Sequence, residues 1–246
     1  MYPSFIRPSH RAPHTMRPIE FLPAYLNHPD GSCLVKFGGT HVLCSAFLEE
    51  RTASFLRGSG SGWITAEYAL LPGSTRPRVD RETHRGRPSG RSQEIQRLIG
   101  RALRSSVDLK KIGERQVRID CDVIEADGGT RVASICGAYV AMAQCFKQAI
   151  FRGILTDYPI KDSVTAISCG VVMGHVLLDL DYAEDSIAEV DANFVFSGTG
   201  TLVEIQVTGE KTTFSQKTLI DMVSLAESAT TSIKALQEAA IATTIK

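Results

Sequence analysis

Five residues, Asp127-Gly128-Gly129-Thr130-Arg131, carry the first chemical signal in this 246-residue chain. They join an alternating apolar run to a long apolar helical run. Paired glycines permit a tight turn with amides facing outward, and a hydroxyl and a guanidinium follow at the start of the predicted helix. Bare amides at a helix N-terminus, with a Thr and an Arg, make a seat for a phosphate-sized anion. The plain alternative is a strand-to-helix turn whose arginine faces water. The second signal is acidic. Asp179, Asp181, Glu184, Asp185 and Asp191 crowd a stretch, residues 162–210, that contains no Lys or Arg. Carboxylates so placed do not ionise together cheaply. A hard divalent cation, Mg²⁺ or Mn²⁺, would relieve the repulsion and bridge a phosphodiester oxygen. One carboxyl holding a proton as a general acid is another reading, and an exposed acidic turn is the bland one.

The third signal is basic. Residues 71–90 hold Arg76, Arg78, Arg81, Arg85 and Arg87 among prolines and glycines, with no amphipathic period. A loop of this length is functional or disordered. Guanidinium forks grip phosphates, so a nucleic-acid backbone is its natural partner. An anion seat, a metal-ready cluster of acids and a basic loop are together what phosphorolysis of a polynucleotide needs, with inorganic phosphate in place of water as nucleophile.

The totals bound the rest. Lys plus Arg equals Asp plus Glu at 27 each, so any electrostatic steering comes from local sorting of charge. The 43% hydrophobic content suits a globular chain with a real core. Six scattered cysteines without a CxxC pair read as buried free thiols of a reducing compartment. There is neither an apolar leader nor a membrane-length apolar run, which implies a soluble cytoplasmic protein.

Several elements must position these groups. Residues 1–20 read as an extended arm in which Arg7, Arg11 and Arg17 are solvated charge, with structural or polyanion contacts as the alternatives. Hairpins are expected over 32–47, around Gly38-Gly39, and over 164–182, around Gly174-His175. In the second, Asp179 and Asp181 fall on the outgoing strand. Further strands are expected at 61–70, 116–125, 194–196 and 201–207, with Trp63 as a packing anchor. A helix is expected from Ser92, as N-cap, to Leu109. Its apolar face is Ile95, Leu98, Ile99, Ala102, Leu103 and Val107, with Glu94 in its first turn and Arg91 just before the cap. Residues 131–153 form a core helix, and Ser215 caps a last amphipathic one. The fold class is α+β, with two loosely repeated sheet-plus-helix units around one core and a single domain over 1–246.

The runs Gly62-Trp63-Ile64-Thr65-Ala66-Glu67-Tyr68, Gly90-Arg91-Ser92-Gln93-Glu94-Ile95-Gln96-Arg97, Asp120-Cys121-Asp122-Val123, the glycine turn with Arg131, and Leu178-Asp179-Leu180-Asp181-Tyr182-Ala183-Glu184-Asp185-Ser186 closely resemble the bacterial ribonuclease PH family. The resemblance implies a ribonuclease PH-like fold and a phosphate-dependent 3′→5′ exoribonuclease trimming tRNA precursors. Nucleoside diphosphates are released, and the reverse reaction adds nucleotides. It places phosphate binding on Arg91, Gly129, Thr130 and Arg131, and catalysis and metal (Mg²⁺ or Mn²⁺) on Asp185 and Asp191. Asp179 and Asp181 become supporting residues. tRNA binding falls on Arg78 and Arg81, with Arg76 added on charge alone. It further implies a homo-hexamer, a trimer of dimers, with the basic loops near subunit contacts because they are too long to pack within one monomer. Val132 and Cys136 stand where that family usually has hydroxyls, and Gly73 where a basic residue is common. These departures imply a weaker secondary hydrogen bond near the phosphate and a softer RNA grip.

Overall fold

The computed structural model describes residues 6–243. Two sheets sandwich a central helix. The first sheet contains β1 (Ile19–Pro23), β2 (Gly31–Phe37), β3 (Thr40–Glu49), β4 (Trp63–Leu70) and β5 (Gln116–Glu125), in the order β1-β2-β3-β5-β4. Its pairs are antiparallel except β4 with β5, which run parallel. Both strands therefore deliver their C-terminal ends, Tyr68 to Leu70 and Glu125 to Asp127, to the same edge. The connection that makes this possible carries α1 (Gly90–Ser105) and the one-turn α2 (Leu109–Ile112). The second sheet holds β6 (Val164–Val172), β7 (His175–Leu178), β8 (Val190–Ser197) and β9 (Leu202–Gly209), ordered β7-β6-β8-β9 and antiparallel throughout.

Between them lies α3 (Thr130–Phe151), buried on nearly every side because nearly every side is apolar. One continuous core joins Val35, Cys44 and Ile119 of the first sheet, Ile135 and Phe146 of α3, Ile167 and Phe194 of the second sheet, and Met222 of α5 (Gln216–Ala242). The two units are not copies. The first has five strands with a parallel pair, the second four, with the turn α4 (Tyr182–Asp185) inserted after β7.

Two expectations about helix starts part company. Ser215 caps α5 as expected, accepting from the Thr218 amide. At α1 the cap is Ser89, one turn before Ser92, and it accepts from the Ser92 amide at 3.1 Å. Ser92 is buried inside the helix and donates to Glu82 at 2.6 Å. Two serines three residues apart both suit a cap, and only the tertiary bond to Glu82 separates them. The shift puts Arg91 inside the first turn. The helix ends at Ser105, and Val107 instead bridges Ile160.

The basic loop packs on its own chain for part of its course, contrary to expectation. Ser74 accepts from the Ala126 amide at 2.9 Å, Pro72 from the Val79 amide at 3.1 Å, and a short 3₁₀ turn covers 82–85. Trp63 is the packing anchor expected, with Phe55 edge-on at 5.3 Å and the Arg104 guanidinium 4.3 Å over its ring. All six cysteines are free and buried.

Candidate active site

The glycine turn is built by its neighbours. Gly128 and Gly129 both have left-handed φ, +76° and +69°. A Cβ on Gly128 would stand 2.6 Å from the Leu180 carbonyl, so only glycine lets the turn lie against the acidic segment. The Thr40 hydroxyl donates to the Gly128 carbonyl at 2.6 Å and accepts from the Asp127 amide at 2.8 Å. The Asp127 carboxylate accepts from the Tyr182 amide at 3.2 Å, tying the turn to α4. Gly129 is the N-cap of α3 and offers no side-chain cap. The first amides of α3 thus keep their donor capacity for something outside the helix.

Around this point lies a cleft of about 580 Å³. Arg91 reaches it from α1, Gly129, Thr130 and Arg131 from α3, and Asp185 and Asp191 from the second unit. All six residues assigned to phosphate binding and catalysis share one cavity. Arg131 is oriented by Glu94, which accepts at 3.0 Å and also takes a bond from Gln206 at 2.9 Å. Burial opposes it, yet these hydrogen bonds from Gln206 and Arg131 hold the Glu94 carboxyl below the usual carboxylate range. Glu94 is therefore a positioning group, and the first turn of α1 contains no acid. Thr130 shares a 2.9 Å hydrogen bond with the buried Tyr68 hydroxyl.

The acids divide into two sets, which residue types and spacing alone did not separate and the family resemblance did. Asp179, fully buried, follows β7 with a left-handed φ of +53° and does not belong to the strand. Its carboxylate accepts from Arg17 Nη2 at 2.7 Å, Arg17 Nε at 3.0 Å and the Arg17 amide at 2.7 Å. Glu184, also fully buried, is held by Arg7 Nε at 2.6 Å and Nη2 at 2.7 Å. Arg11 reaches Asp179, Asp181 and Glu184 at 3.3–3.4 Å. Asp181 caps α4 in a capping box with Glu184. The arm arginines, Arg7 and Arg17 buried and Arg11 partly so, are thus structural partners, the alternative to the solvated charge that was favoured. They also supply the cations the acidic stretch lacks. Arg17 does more: it donates to the carbonyls of Asp127 and Gly128 while bound to Asp179. One side chain clamps the glycine turn to the acidic segment.

Among the described residues, Asp185 and Asp191 have no ion pair of their own. Burial, only partly offset by Arg91 and Arg131, raises the Asp185 carboxyl. Burial and the charge of Asp185 push Asp191 up to about 6. Glu210 lines the same cleft and raises both. Among the described residues no group of three or more His, Cys, Asp or Glu is placed to hold a metal. Two mutually repelling carboxylates do suit Mg²⁺, which takes one or two protein oxygens and completes its shell with water and substrate phosphate.

Of the basic loop, Arg76 lines the cleft beside Thr75 and Pro77, while Arg78 and Arg81 are exposed outside it. The departures at Val132 and Cys136 face the core. Val132 is fully buried, and the Cys136 thiol takes the hydroxyl's part, donating to the Ala166 carbonyl and accepting from the Ala166 amide at 3.3 Å each. Gly73 is exposed with open space around it. Tyr68, Ser168, Asn193, Glu210 and Lys211 also line the cleft. Sequence reading missed them, since each is an ordinary strand or loop residue until the sheets are assembled.

Residues 15–147 match the model for domain 1 of the 3′ exoribonuclease family, RNase PH, and residues 162–229 match the model for domain 2. The chain belongs to the ribonuclease PH family. Ribonuclease PH of Rhodospirillum rubrum is 54% identical over 237 residues, covering 96% of this chain and 99% of its own. That of Methylocella silvestris is 53% identical over 237 residues, covering 96% and 100%. The fold recurs in rice Rrp46, with a TM-score of 0.77 at 20% identity over 96% of this chain and 100% of that one. It recurs again in an Archaeoglobus fulgidus exosome structure with RNA bound to its active site, with a TM-score of 0.81 at 21% identity over 93% and 91%. Ribonuclease PH enzymes are phosphate-dependent 3′ exoribonucleases that trim tRNA precursors.

Proposed function

We propose that this chain removes nucleotides from the 3′ ends of tRNA precursors, and of other structured RNA including rRNA precursors, by phosphorolysis in the cleft between its two sheets. The observation that carries the reading is the meeting of Arg91, Thr130 and Arg131 with Asp185 and Asp191 in one cavity. Orthophosphate sits on the uncapped amides of α3 between the two guanidiniums. Its oxygen forms a bond to the terminal phosphorus, and the bond from that phosphorus to the preceding 3′ oxygen breaks. The departing oxygen takes up a proton, which hydrogen phosphate brings with it, leaving a new 3′-hydroxyl and a nucleoside diphosphate. Read backwards, the same step adds a nucleotide. Arg91 and Arg131 neutralise and orient the attacking anion, and the cleft's half-buried walls limit competing water. Mg²⁺ or Mn²⁺ on Asp185 and Asp191, when bound, supplies charge neutralisation at the non-bridging oxygens.

Arg76 at the cleft and Arg78 and Arg81 beyond it follow the RNA backbone, each as a phosphate contact that positions without reading sequence. We further propose one functional domain over 1–246, a homo-hexamer built as a trimer of dimers, and a cytoplasmic setting. Phe151, Phe55 and Ile220, 74%, 69% and 63% exposed, are apolar side chains that subunit contacts in such an assembly would cover. Among the described residues no helix is long and apolar enough to cross a membrane.

The test is a 3′-extended tRNA incubated with Mg²⁺, with and without orthophosphate. Diphosphate products that depend on phosphate support the reading. Monophosphate products, or trimming indifferent to phosphate, would mean a hydrolytic nuclease. Arg91→Ala and Asp185→Ala should each cut trimming at least about 100-fold. Normal turnover in either would overturn the site assignment.

A further inference from the structure

One buried hydroxyl in this cleft has no partner among the described residues and no part in the proposed reaction. Ser168 lies mid-strand in β6, is 3% exposed, and lines the cavity. Among the described residues its Oγ has no hydrogen-bond partner. Buried hydroxyls are nearly always bonded, so an orphan of this kind calls for an explanation. Its position supplies one. A Cβ built on Gly129 would come within 3.7 Å of Ser168 Oγ, which places the hydroxyl beside the N-cap of α3, where the free amides begin. The backbone at this point is fixed: the Ser168 carbonyl accepts from the Asp179 amide at 2.8 Å, and Asp179 is locked by Arg17, which also holds the glycine turn. Ser168 and the turn are therefore parts of one rigid assembly. Its cross-strand partner is Asn193, also buried and also lining the cleft, two residues along β8 from Asp191.

We infer that the Ser168 hydroxyl is a further ligand of orthophosphate, donated by the second sheet to an anion that the first turns of α1 and α3 otherwise hold. This rests on the phosphorolytic reading and extends it. The anion is gripped from both halves of the fold, and its position against the scissile linkage is set by the half that carries the acids. The β-phosphate of a nucleoside diphosphate takes the same place in the reverse reaction. A neutral donor deep in the seat accepts any protonation state of phosphate, since a hydroxyl rotor can donate to one oxygen and accept from a P–OH.

Ser168→Ala removes one oxygen from a site that already lacks a partner, so the variant folds as the parent does. The experiment measures KM for orthophosphate and for a 3′-extended tRNA separately, KM for a nucleoside diphosphate in synthesis, and Tm. The expected result is a rise of about 10-fold in KM for orthophosphate and for the diphosphate, with KM for RNA and Tm unchanged. Ser168→Cys, which keeps the shape but has only a weak donor, should fall between. A Ser168→Ala enzyme whose phosphate KM matches the parent's overturns the inference, as does a rise confined to RNA, which would assign the hydroxyl to the terminal ribose. A parent enzyme that trims without phosphate would instead fail the phosphorolytic reading itself, and the parent measured alone separates the two failures.

Discussion

Replacing Asp179 with Asn probes the clamp between the two halves more sharply than any change in the cleft. The side chain keeps its shape, and Asn tolerates the left-handed backbone at this position, so neither a cavity nor strain is introduced. What is lost is the negative charge facing Arg17, whose side chain is 6% exposed and lies at 2.7 Å. Arg17 Nε and the Arg17 amide share the other oxygen at 3.0 and 2.7 Å, so the Asn NH₂ faces either Arg17 Nη2 or both of these donors. Stranding one partner of a buried ion pair costs about 3–5 kcal/mol. For a chain of this length each kcal/mol lowers Tm by roughly 2–4 °C, so a drop of roughly 10 °C is expected in a circular-dichroism melt. Arg17→Met in the same chain removes the stranded cation and should recover part of the loss. Because Arg17 also holds the carbonyls of Asp127 and Gly128, the single variant should raise KM for phosphate even where it remains folded. A melt within about 2 °C of the parent would mean that the Arg17–Asp179 pair does not brace the fold, and the clamp would have to be abandoned.

Gly128→Ala should lower Tm and phosphorolysis together, since its Cβ meets the Leu180 carbonyl at 2.6 Å at a φ of +76°; an active, stable variant would show that the turn is not pressed against the acidic segment. Sulfate, which does not titrate near neutrality, should bind the metal-free protein more tightly as pH falls through about 6. Burial and Asp185 raise the Asp191 carboxyl to that value, so it is charged and repels an anion above it and is neutral below; calorimetry at pH 7.5 and 5.0 tests the sign. Arg78→Ala with Arg81→Ala should weaken RNA binding and lower the slope of log affinity against log salt by about 1.4, at ~0.7 per contact on single strands, while synthesis from a saturating short primer is spared. An unchanged slope would remove both from the RNA path.

The turn and its chemistry were legible because glycine, hydroxyl and guanidinium stand consecutively, and the core helix because its apolar residues leave no wet face. The two hairpins were legible for the same local reason. The division of labour among the acids was legible only through the family resemblance, which set Asp179 and Asp181 apart as supporting residues; the residues themselves did not show it. Asp179 and Glu184 look no different in sequence from Asp185, and only the arrival of Arg7, Arg11 and Arg17 from more than 160 positions away makes the first two structural and leaves the third open. The same distance hid the fate of the arm, whose arginines read as solvated charge. At Ser89 and Ser92 local propensity was degenerate, and Glu82 broke the tie. Ser168, Asn193 and Glu210 carry no motif and acquire meaning only from the cavity they face.

The arm's ion pairs also bear on how the enzyme is born. Arg7 and Arg17 leave the ribosome first, but Glu184 and Asp179 follow 177 and 162 residues later. At roughly 5–20 residues per second, the beginning of the chain waits on the order of 10–30 s for its partners. Until then neither the glycine turn nor the acid pair is anchored to the other. A nascent chain whose acidic segment is still to come therefore holds no assembled cleft, and the two halves of the proposed site meet only after Asp191 has been made.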